Sequence, residues 1–415
     1  MTMRLLTGFL AAALLTSSAQ ADANWPSLLG PNEPGHAQGK NIPTEFAEGK
    51  DVRWKVAIPG EGWSSPVVLD QQIWMATAED EGKSLRAICV ERETGKLLHN
   101  IELFNIPAPA PIHALNSHAS PTPILEAGRA YFAFGMYGAA CVDTKSGKVL
   151  WKNTVLPHDH GGNGPGSSPI LYKNLFILNC DGTELRYVVA LDKDTGKQVW
   201  KTDRSNDMSK SNPQMRKAYA TPTIITVNGK DQLVSPGGFR LSTYDPLTGK
   251  ELWWVDIPGF SNVQPPVYQN GLIYISTGFN KAQLWAIKPG GKGDVTDTHV
   301  VWKHLKGVPN KPTPLLIGKE LFMVSDNGIM TCLDAMNGEE IWSERVGGAY
   351  SASPLYVDGR IYLFSHTGEI TVLKPGRKYE VLAKSTLGDG FMASPAVVDD
   401  ALILRSKTHL YRIQK

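Results

Sequence analysis

The sequence is poor in the features that identify membrane proteins, nucleic-acid binders and disulfide-rich scaffolds. Only four cysteines occur among 415 residues, and no two of them are adjacent. After residue 21 no apolar run approaches the roughly 18 residues that a bilayer-spanning helix needs. The formal net charge of +2 gives no reason to expect a nucleic-acid partner. We therefore expect neither a membrane span nor nucleic-acid binding.

Motifs of several common catalytic chemistries are also absent. The sequence contains no Gly-x-Ser-x-Gly nucleophile turn, no complete Gly-x-x-x-x-Gly-Lys-Ser/Thr phosphate loop and no His-Glu-x-x-His zinc motif. The glycine-rich stretch 161–166 does not open a predicted helix, so we interpret it as a flexible loop and not as a phosphate cradle. Whether the chain is an enzyme stays open at this level.

The first residues have the three parts of a secretory leader. Arg4 supplies a positive charge, an apolar stretch follows over 5–15, and Ala19-Gln20-Ala21 fits a small-residue cleavage site. The sequence predicts a leader over residues 1–21, cleavage near Ala21, and a periplasmic or secreted protein. No cysteine follows the apolar stretch, so a lipid anchor is not expected. Residues 22–51 then form a lead-in to the repeats described next.

A repeated unit fills the remainder of the chain. Each unit begins with a small residue and a proline directly before an apolar strand, and 40 to 55 residues separate successive prolines. Eight units of this size match the four-stranded blades of a β-propeller. The repeat prolines are Pro66, Pro121, Pro169, Pro222, Pro266, Pro314, Pro354 and Pro395.

Turn signals divide each unit into strands. Asp358-Gly359 suits a tight hairpin turn because both residue types tolerate positive φ. Farther along the unit, an aspartate such as Asp192 precedes Gly196, which suits a turn closed by the carboxylate. A tryptophan such as Trp200 follows four residues later, in the fourth strand. Each unit therefore predicts one antiparallel four-stranded blade.

The eighth unit ends at Lys415 without a fourth strand. The segment 52–56 has the missing strand's pattern, including Trp54, and precedes the first unit. Pairing this segment with the last three strands would close the ring and hide its open edges. The sequence thus predicts an all-β, eight-bladed propeller over 52–415.

The tryptophans and cysteines recur at fixed places in the units. Because one register is repeated, we favour docking between neighbouring blades over aromatic ligand stacking for the tryptophans. Cys89, Cys141 and Cys332 share a register that other units fill with small residues, which predicts buried free thiols, and Cys180 is also expected to be free. The tryptophans are Trp151, Trp200, Trp253, Trp302 and Trp342, with His99 in the first unit.

The string Asp192-x-x-Thr195-Gly196-Lys197-x-x-Trp200 resembles the repeat of the PQQ-like, or quinoprotein-type, propeller family. This resemblance implies either a PQQ-dependent alcohol or sugar dehydrogenase with calcium, or the non-catalytic outer-membrane assembly propeller. Trp25-Pro26 followed by Gly30-Pro31-Asn32 is similar to exported PQQ-like propellers of unassigned activity. The adjacent cysteines and the calcium-ligating Glu, Asn and Asp of the dehydrogenases have no match here, nor does the lipid-bearing cysteine of the assembly propeller.

Four histidines are concentrated in two loops that enter neighbouring units, and such loops cluster at one mouth of the central channel. With Asp159 they suggest a divalent metal site, or general acid–base catalysis by His118 and His160. The alternative is that these loop histidines are simply hydrated. The metal candidates are His113, His118, His158 and His160.

Polar and aromatic residues in the entering loops suggest a ligand funnel at the same mouth. Such a mouth could hold an anionic or carbohydrate-like ligand, with an aromatic ring stacked on it. The alternative is a polar mouth that only meets water. The ligand-binding candidates are Trp63, His118, His160, Arg216, Lys217, Tyr219, Gln264, Lys311 and Tyr350.

Three functions remain open from the sequence. We favour a monomeric binding or scaffold propeller without a bound cofactor, whose partner is a small molecule, a polysaccharide or a protein. The second hypothesis is a PQQ-dependent alcohol or sugar oxidoreductase. The third is a metal-dependent carbohydrate-active enzyme that uses the loop histidines. Fold alone does not decide among them.

Overall fold

A computed structural model describes residues 23–415 of the chain, and the predicted leader with its cleavage site lies outside these residues. Eight antiparallel sheets, each with a core of four strands, form the described part. Within each sheet, neighbouring strands follow one another in chain order. The two exceptions are the sheet that closes the ring and the two-residue strand Gly293–Asp294, which is added to the sheet of the fourth blade. The prediction of an eight-bladed propeller is confirmed.

The ring is closed by β1 (Val52–Ala57), which supplies the outer strand of the last blade. It pairs in antiparallel fashion with β33 (His409–Ile413), from Val52 opposite Ile413 to Ala57 opposite His409. The two ends of the propeller are therefore joined within one sheet, and its last blade keeps four strands. The predicted closing strand 52–56 is confirmed.

The first four blades follow one another along the chain. Blade 1 holds β2 (Val67–Leu69), β3 (Gln72–Glu79), β4 (Ser84–Glu91) and β5 (Leu97–Asn105); blade 2 holds β6 (Ile124–Glu126), β7 (Arg129–Ala133), β8 (Ala139–Asp143) and β9 (Val149–Asn153); blade 3 holds β10 (Ile170–Tyr172), β11 (Leu175–Asp181), β12 (Arg186–Asp192) and β13 (Gln198–Asp203); blade 4 holds β14 (Thr223–Val227), β15 (Lys230–Gly237), β16 (Arg240–Tyr244) and β17 (Glu251–Asp256).

The other four blades repeat this plan. Blade 5 holds β18 (Val267–Gln269), β19 (Leu272–Ser276), β20 (Leu284–Ile287) and β22 (Val300–His304), while the short β21 (Gly293–Asp294) joins blade 4 beside β17; blade 6 holds β23 (Leu315–Ile317), β24 (Glu320–Val324), β25 (Ile329–Asp334) and β26 (Glu340–Arg345); blade 7 holds β27 (Leu355–Val357), β28 (Arg360–Phe364), β29 (Glu369–Leu373) and β30 (Val381–Thr386); blade 8 holds β31 (Ala396–Val398), β32 (Ala401–Arg405), β33 and β1.

Helical structure in the described chain is limited to single turns. The α-helix α1 (Thr296–His299) lies between β21 and β22 in blade 5, where the repeated aspartate–glycine turn is missing. No helix between residues 23 and 415 has the length and apolar character needed to cross a membrane. The 3₁₀ turns are Asp80–Gly82, Gly135–Tyr137 and Pro213–Met215.

The repeated turn and tryptophan join neighbouring blades. The Asp192 carboxylate accepts hydrogen bonds from the backbone N–H and the hydroxyl of Thr195, and Gly196 takes a φ of +70°. The Trp151 ring of the preceding blade lies against Gly196, and its indole N–H donates to the Lys193 carbonyl at 2.9 Å. Burying one such ring stabilises the fold by roughly 1.5–3 kcal/mol. The predicted docking role of the tryptophans is borne out by this contact.

The same contact recurs at three more tryptophans, whereas Trp253 and Trp342 are placed differently. Trp200 lies against Gly249, Trp302 against Gly338, and Trp54 of the closing strand against Gly95 of blade 1. His99 takes the tryptophan's place against Gly147. Trp253 departs from the pattern, because its indole N–H donates to Gln232 of its own blade and its ring stacks on His299 of α1. All four cysteines are buried and free, as predicted.

Buried arginines add polar links between blades that the sequence did not reveal. Arg204 pairs with Asp181 at 2.6 Å and also donates to carbonyl oxygens of Ser235 and Pro236 in blade 4. Arg405 of blade 8 donates to carbonyl oxygens of Ser64 and Ala76 in blade 1. These contacts leave the buried guanidinium groups hydrogen-bonded, as burial of a charge requires.

Candidate functional site at the channel mouth

A cavity of about 660 Å³ opens where the loops entering the blades meet the central channel. Trp63, Tyr219 and Phe260 supply aromatic surface, and Lys217 and Lys311 supply positive charge. A volume of this size is typical of ligand pockets, which measure about 300–1,000 Å³. The predicted funnel therefore exists as a cavity, whereas its occupant stays a prediction.

The waist of the cavity is a ring of hydroxyl side chains, each just before a repeat proline. In blade 1 the Ser65 backbone N–H donates to the Thr122 hydroxyl at 2.9 Å, and the Thr122 N–H donates to the Ser168 hydroxyl at 2.9 Å. Six such bonds of 2.9–3.1 Å join neighbouring blades. We call this set the hydroxyl collar: Ser65, Thr122, Ser168, Thr221, Thr313, Ser353 and Ser394.

The hydroxyl collar corrects the sequence alignment at blade 2. Pro121 was predicted to be the repeat proline, but Thr122 makes the collar bonds and β6 begins directly after Pro123. The error arose because Ser120-Pro121 and Thr122-Pro123 both match a small residue followed by proline. In blade 5 the collar is interrupted by Pro265, which has no side-chain hydroxyl and no N–H.

The lead-in lies across the channel beside the innermost strands. Trp25 exchanges two backbone hydrogen bonds of 2.8 Å with Val68 of blade 1. Farther along, the backbone of 35–37 exchanges hydrogen bonds of 2.7 and 2.9 Å with Tyr356 of blade 7. Between these anchors Leu28 lines the cavity. The lead-in thus contributes to the wall of the cavity as well as joining distant blades.

The structure brings together some of the predicted ligand residues. Trp63, Lys217, Tyr219 and Lys311 line the cavity, and so does His113. Lys311 forms a 3.1 Å ion pair with Asp326, another lining residue, for which the sequence carries no motif. These side chains share one cavity although they come from different blades.

Other predicted ligand residues lie outside the lining. Arg216 donates to the carbonyl oxygens of Ser209 and Ser211 in its own loop and of Thr183 in the loop between β11 and β12, so its guanidinium group holds these two loops together. Gln264 donates to the Pro309 carbonyl at 2.7 Å. Tyr350 is fully buried in the core shared by blades 6 and 7. None of the three is among the residues that line the cavity.

The four candidate histidines are not assembled into a metal centre. His113 is exposed, whereas the His118 ring bonds the Ala110 carbonyl at 3.0 Å and packs on Gly82. Only His158 and His160 contact each other, with ring centroids 4.8 Å apart. Between residues 23 and 415 no group of three or more His, Cys, Asp or Glu side chains could hold a metal ion.

His160 is also poorly placed for the predicted acid–base role. Burial, together with the neighbouring His158, lowers the pKa of His160 to about 3, so the ring is neutral near pH 7. It adjoins a second, water-sized cavity of about 10 Å³ between blades 2 and 3, which Cys180 and Asp181 also line. A neutral, enclosed imidazole of such low basicity is better suited to packing than to proton transfer near pH 7.

Three phenylalanines form an aromatic rim at one side of the cavity. The rings of Phe239 and Phe260 stack with centroids 5.7 Å apart, and Phe279 contacts Phe260 edge-on at 5.8 Å. Phe279 is 60% exposed although it is a large apolar side chain. Phe279 lies on the loop between the second and third strands of blade 5 and lines the cavity together with Phe260.

Comparison with protein families places the chain among known propellers. The family model described as outer membrane protein assembly factor BamB matches residues 45–179, 185–316 and 292–378, which together exceed half of the chain. BamB of Yersinia pestis is 25% identical over 216 residues, covering 48% of this chain and 52% of that protein. BamB of Moranella endobia is 24% identical over 240 residues, covering 54% and 58%. The chain thus spans about half the length of these curated relatives.

Solved structures of low sequence identity share the fold. BamB from Moraxella catarrhalis superposes with a TM-score of 0.61 at 12% identity, covering 88% of this chain and 99% of that one. Quinohemoprotein alcohol dehydrogenase from Comamonas testosteroni gives a TM-score of 0.68 at 13% identity, covering 96% and 81%. At such identities these likenesses describe the architecture and leave the activity undetermined.

Proposed function

Because this chain belongs to the family of the outer membrane protein assembly factor BamB, we propose that it is a scaffold propeller that binds a protein partner at its channel mouth. The predicted leader over residues 1–21 supports a site of action outside the cytoplasm. The names of the relatives suggest a partner engaged in assembling outer membrane proteins.

The exposed aromatic rim carries this proposal. Phe279 presents 60% of its surface to solvent at the edge of the cavity, backed by Phe260. Exposed aromatic residues beside a concave surface are typical of protein-binding sites, where a few such anchors supply most of the affinity. The rigid ring of blades holds the loops that carry these rings in fixed positions.

The pocket residues do not fit a quinoprotein active site. A calcium ion takes six to eight oxygen ligands, whereas Asp326 is the single carboxylate among the lining residues and is already paired with Lys311. The cysteines at positions 89, 141, 180 and 332 are separate and buried, so none can form the adjacent-cysteine disulfide of the dehydrogenases. No redox step through a quinone follows from these residues.

Photocrosslinking tests the rim as the partner surface. With p-benzoylphenylalanine at position 279 in cells of the source organism, we expect a covalent adduct with one protein on illumination. The matched control carries the same group at position 301, since Val301 is 51% exposed on β22 of the same blade. Mass spectrometry of the adduct then shows whether the partner is an outer membrane component.

Two results would contradict the proposal. An absence of any adduct from position 279 would remove the rim as a partner surface. Equal adducts from positions 279 and 301 would show unspecific encounter. In a second measurement, Phe279→Ser should weaken the interaction with the identified partner at least about tenfold, as expected for an interface anchor, while Val301→Ser leaves it unchanged.

A further inference from the structure

One lysine in the cavity wall is buried without a carboxylate partner. Lys217 is only 1% exposed and lines the cavity, and its ammonium group donates to the His160 carbonyl at 3.2 Å and to the Gln214 side chain. Within the described chain no carboxylate forms an ion pair with it. The Asp159 carboxylate partly offsets the lowering of the Lys217 pKa by burial, but it accepts its hydrogen bonds from the Gly161 N–H and the Thr183 hydroxyl and not from the lysine. A buried cation in this position favours an anion in the cavity.

The hydroxyl collar adds further donors to the same cavity. The hydroxyl oxygens of Thr122, Ser168 and Thr221 each accept a backbone N–H from the preceding blade. A hydroxyl also carries one proton to donate, and no acceptor between residues 23 and 415 takes the proton of these three groups. The indole N–H of Trp63 is likewise buried without a partner in the described chain. The wall therefore offers three hydroxyl protons and one indole N–H that are unused, beside one buried acceptor without a partner in the described chain, Asn310 Oδ1.

An apolar surface lies beside these donors. Tyr219 has its hydroxyl occupied by Asn163 and His160, so its ring presents mainly apolar surface to the cavity. Phe260 and Met215 line the same part of the pocket. An aromatic ring bound here could stack or pack edge-on against these groups.

From this combination we propose that the pocket binds an organic anion, with a carboxylate directed to Lys217 and the hydroxyl collar and an aromatic body against Tyr219 and Phe260. The cavity volume of about 660 Å³ suits a small organic molecule or one terminal residue of a peptide. The inference goes beyond partner binding at the rim and holds whether or not the rim binds a protein.

Calorimetric titration of the chain with matched probes tests this site. N-Acetylphenylalanine offers the ring and the carboxylate, while its amide offers the ring without the charge. We expect the acid to bind at least about tenfold more tightly than the amide, since hydrogen bonds to charged groups are the stronger ones. In Lys217→Met this ratio falls to about one. Lys210→Met, at an exposed position of the same loop, leaves the ratio unchanged.

Several outcomes would overturn the inference. Equal affinity of acid and amide in the unmodified chain would do so without any variant, and so would an absence of binding by both probes at millimolar concentration. A tenfold preference for the acid over the amide that persists in Lys217→Met would show that the carboxylate does not bind at Lys217. Circular dichroism of Lys217→Met checks that the variant is folded. If the variant is unfolded, the ratio of acid to amide affinity in the unmodified chain alone tests whether the pocket prefers an anion.

A second pair of probes distinguishes the source of the anion. Acetyl-Gly-Gly-Gly-Phe with a free or an amidated C-terminus presents the same carboxylate on a peptide. Tighter binding of the free-acid peptide than of N-acetylphenylalanine would assign the pocket to the chain end of a partner. Weaker binding, with the acid preference retained for N-acetylphenylalanine, would assign it to a free small molecule.

Discussion

At the scale of single residues, two neighbours show why a sequence alone does not identify a pocket. Arg216 and Lys217 are adjacent and were both predicted to bind a ligand. In the structure Arg216 bonds carbonyl groups of its own loop and of the loop between β11 and β12, whereas Lys217 lines the cavity. The difference depends on the path of an irregular loop, for which sequence periodicity gives no guide.

Glycines at the repeated turns support the tryptophans that join the blades. A Cβ added at Gly196 would lie 2.6 Å from the Trp151 ring, and the residue has a φ of +70°. Gly196→Ala should therefore cost more free energy of unfolding than backbone strain alone. We expect a loss about 1–3 kcal/mol larger than for the control described next, because overpacking has a cost of that order.

Gly229→Ala is the matched control for this substitution. Gly229 has a φ of +73°, and no atom lies within 4 Å of its added Cβ. The substitution therefore measures only the free energy that alanine costs in a backbone conformation with positive φ. Urea denaturation of both variants gives the comparison. Equal losses of stability would show that the contact of Trp151 with the turn glycine contributes little to blade docking.

At the scale of elements, the strands were predictable wherever the repeat is regular. An acidic residue with a glycine four residues later recurs in five units and the strand alternation in most, and the closing strand was found because its tryptophan matched the repeat. Blade 5 departs from this pattern, since β21 and α1 replace the usual turn before β22. The pairing of β21 with β17 joins two different units, so no single repeat contains the information that predicts it.

The closing strand and the lead-in should make separable contributions to stability. A chain that begins at residue 58 lacks β1, so blade 8 keeps three strands and loses the contact of Trp54 with Gly95. We expect this chain to unfold or aggregate, because an unpaired inner strand edge becomes exposed. A chain that begins at residue 51 keeps β1 and should fold with reduced stability, since it loses buried Trp25, Ile42 and Phe46.

Thermal unfolding monitored by circular dichroism compares both shortened chains with the chain that begins at residue 23. The expected order of midpoints is the chain from residue 23, then the chain from 51, with no cooperative transition for the chain from 58. A chain from residue 58 that unfolded as cooperatively as the one from 51 would show that β1 is not needed to close the ring.

At the scale of the whole molecule, the repeats made the fold predictable, and the loops that depart from them form the candidate site. Eight similar units specify strands, turns and docking residues several times over, so an error at Pro121 did not change the number of blades. The cavity depends on single positions such as Phe260, Phe279 and Leu28, which come from different loops and the lead-in. These residues come close together only when the ring of blades is closed, so no single segment of the sequence predicts their proximity.

Two buried histidines of one loop and a half-buried histidine of blade 7 give the molecule a common response to acid. Burial, with His158 nearby, lowers the pKa of His160 to about 3, and burial, with Lys311 and Lys407 nearby, lowers that of His366 to about 4. Burial also lowers the pKa of His158. Because an unfolded histidine has a pKa near 6.5, the unfolded chain binds more protons between about pH 6.5 and 4. The free energy of unfolding should therefore fall as the pH falls through this window.

His160→Gln isolates one part of this response. Between pH 7 and pH 4.5 a histidine with the low pKa of His160 contributes about 2.5 kcal/mol to the fall, since one pKa unit corresponds to about 1.4 kcal/mol. Urea denaturation at both pH values should show a fall smaller by about that amount in His160→Gln, whatever the variant's stability at pH 7. His113→Gln, at an exposed position of the same channel face, serves as the control and should keep the full fall. If both variants lose stability with acid as the unmodified chain does, His160 takes up its proton without unfolding, and the loop that encloses it must open in the folded ring.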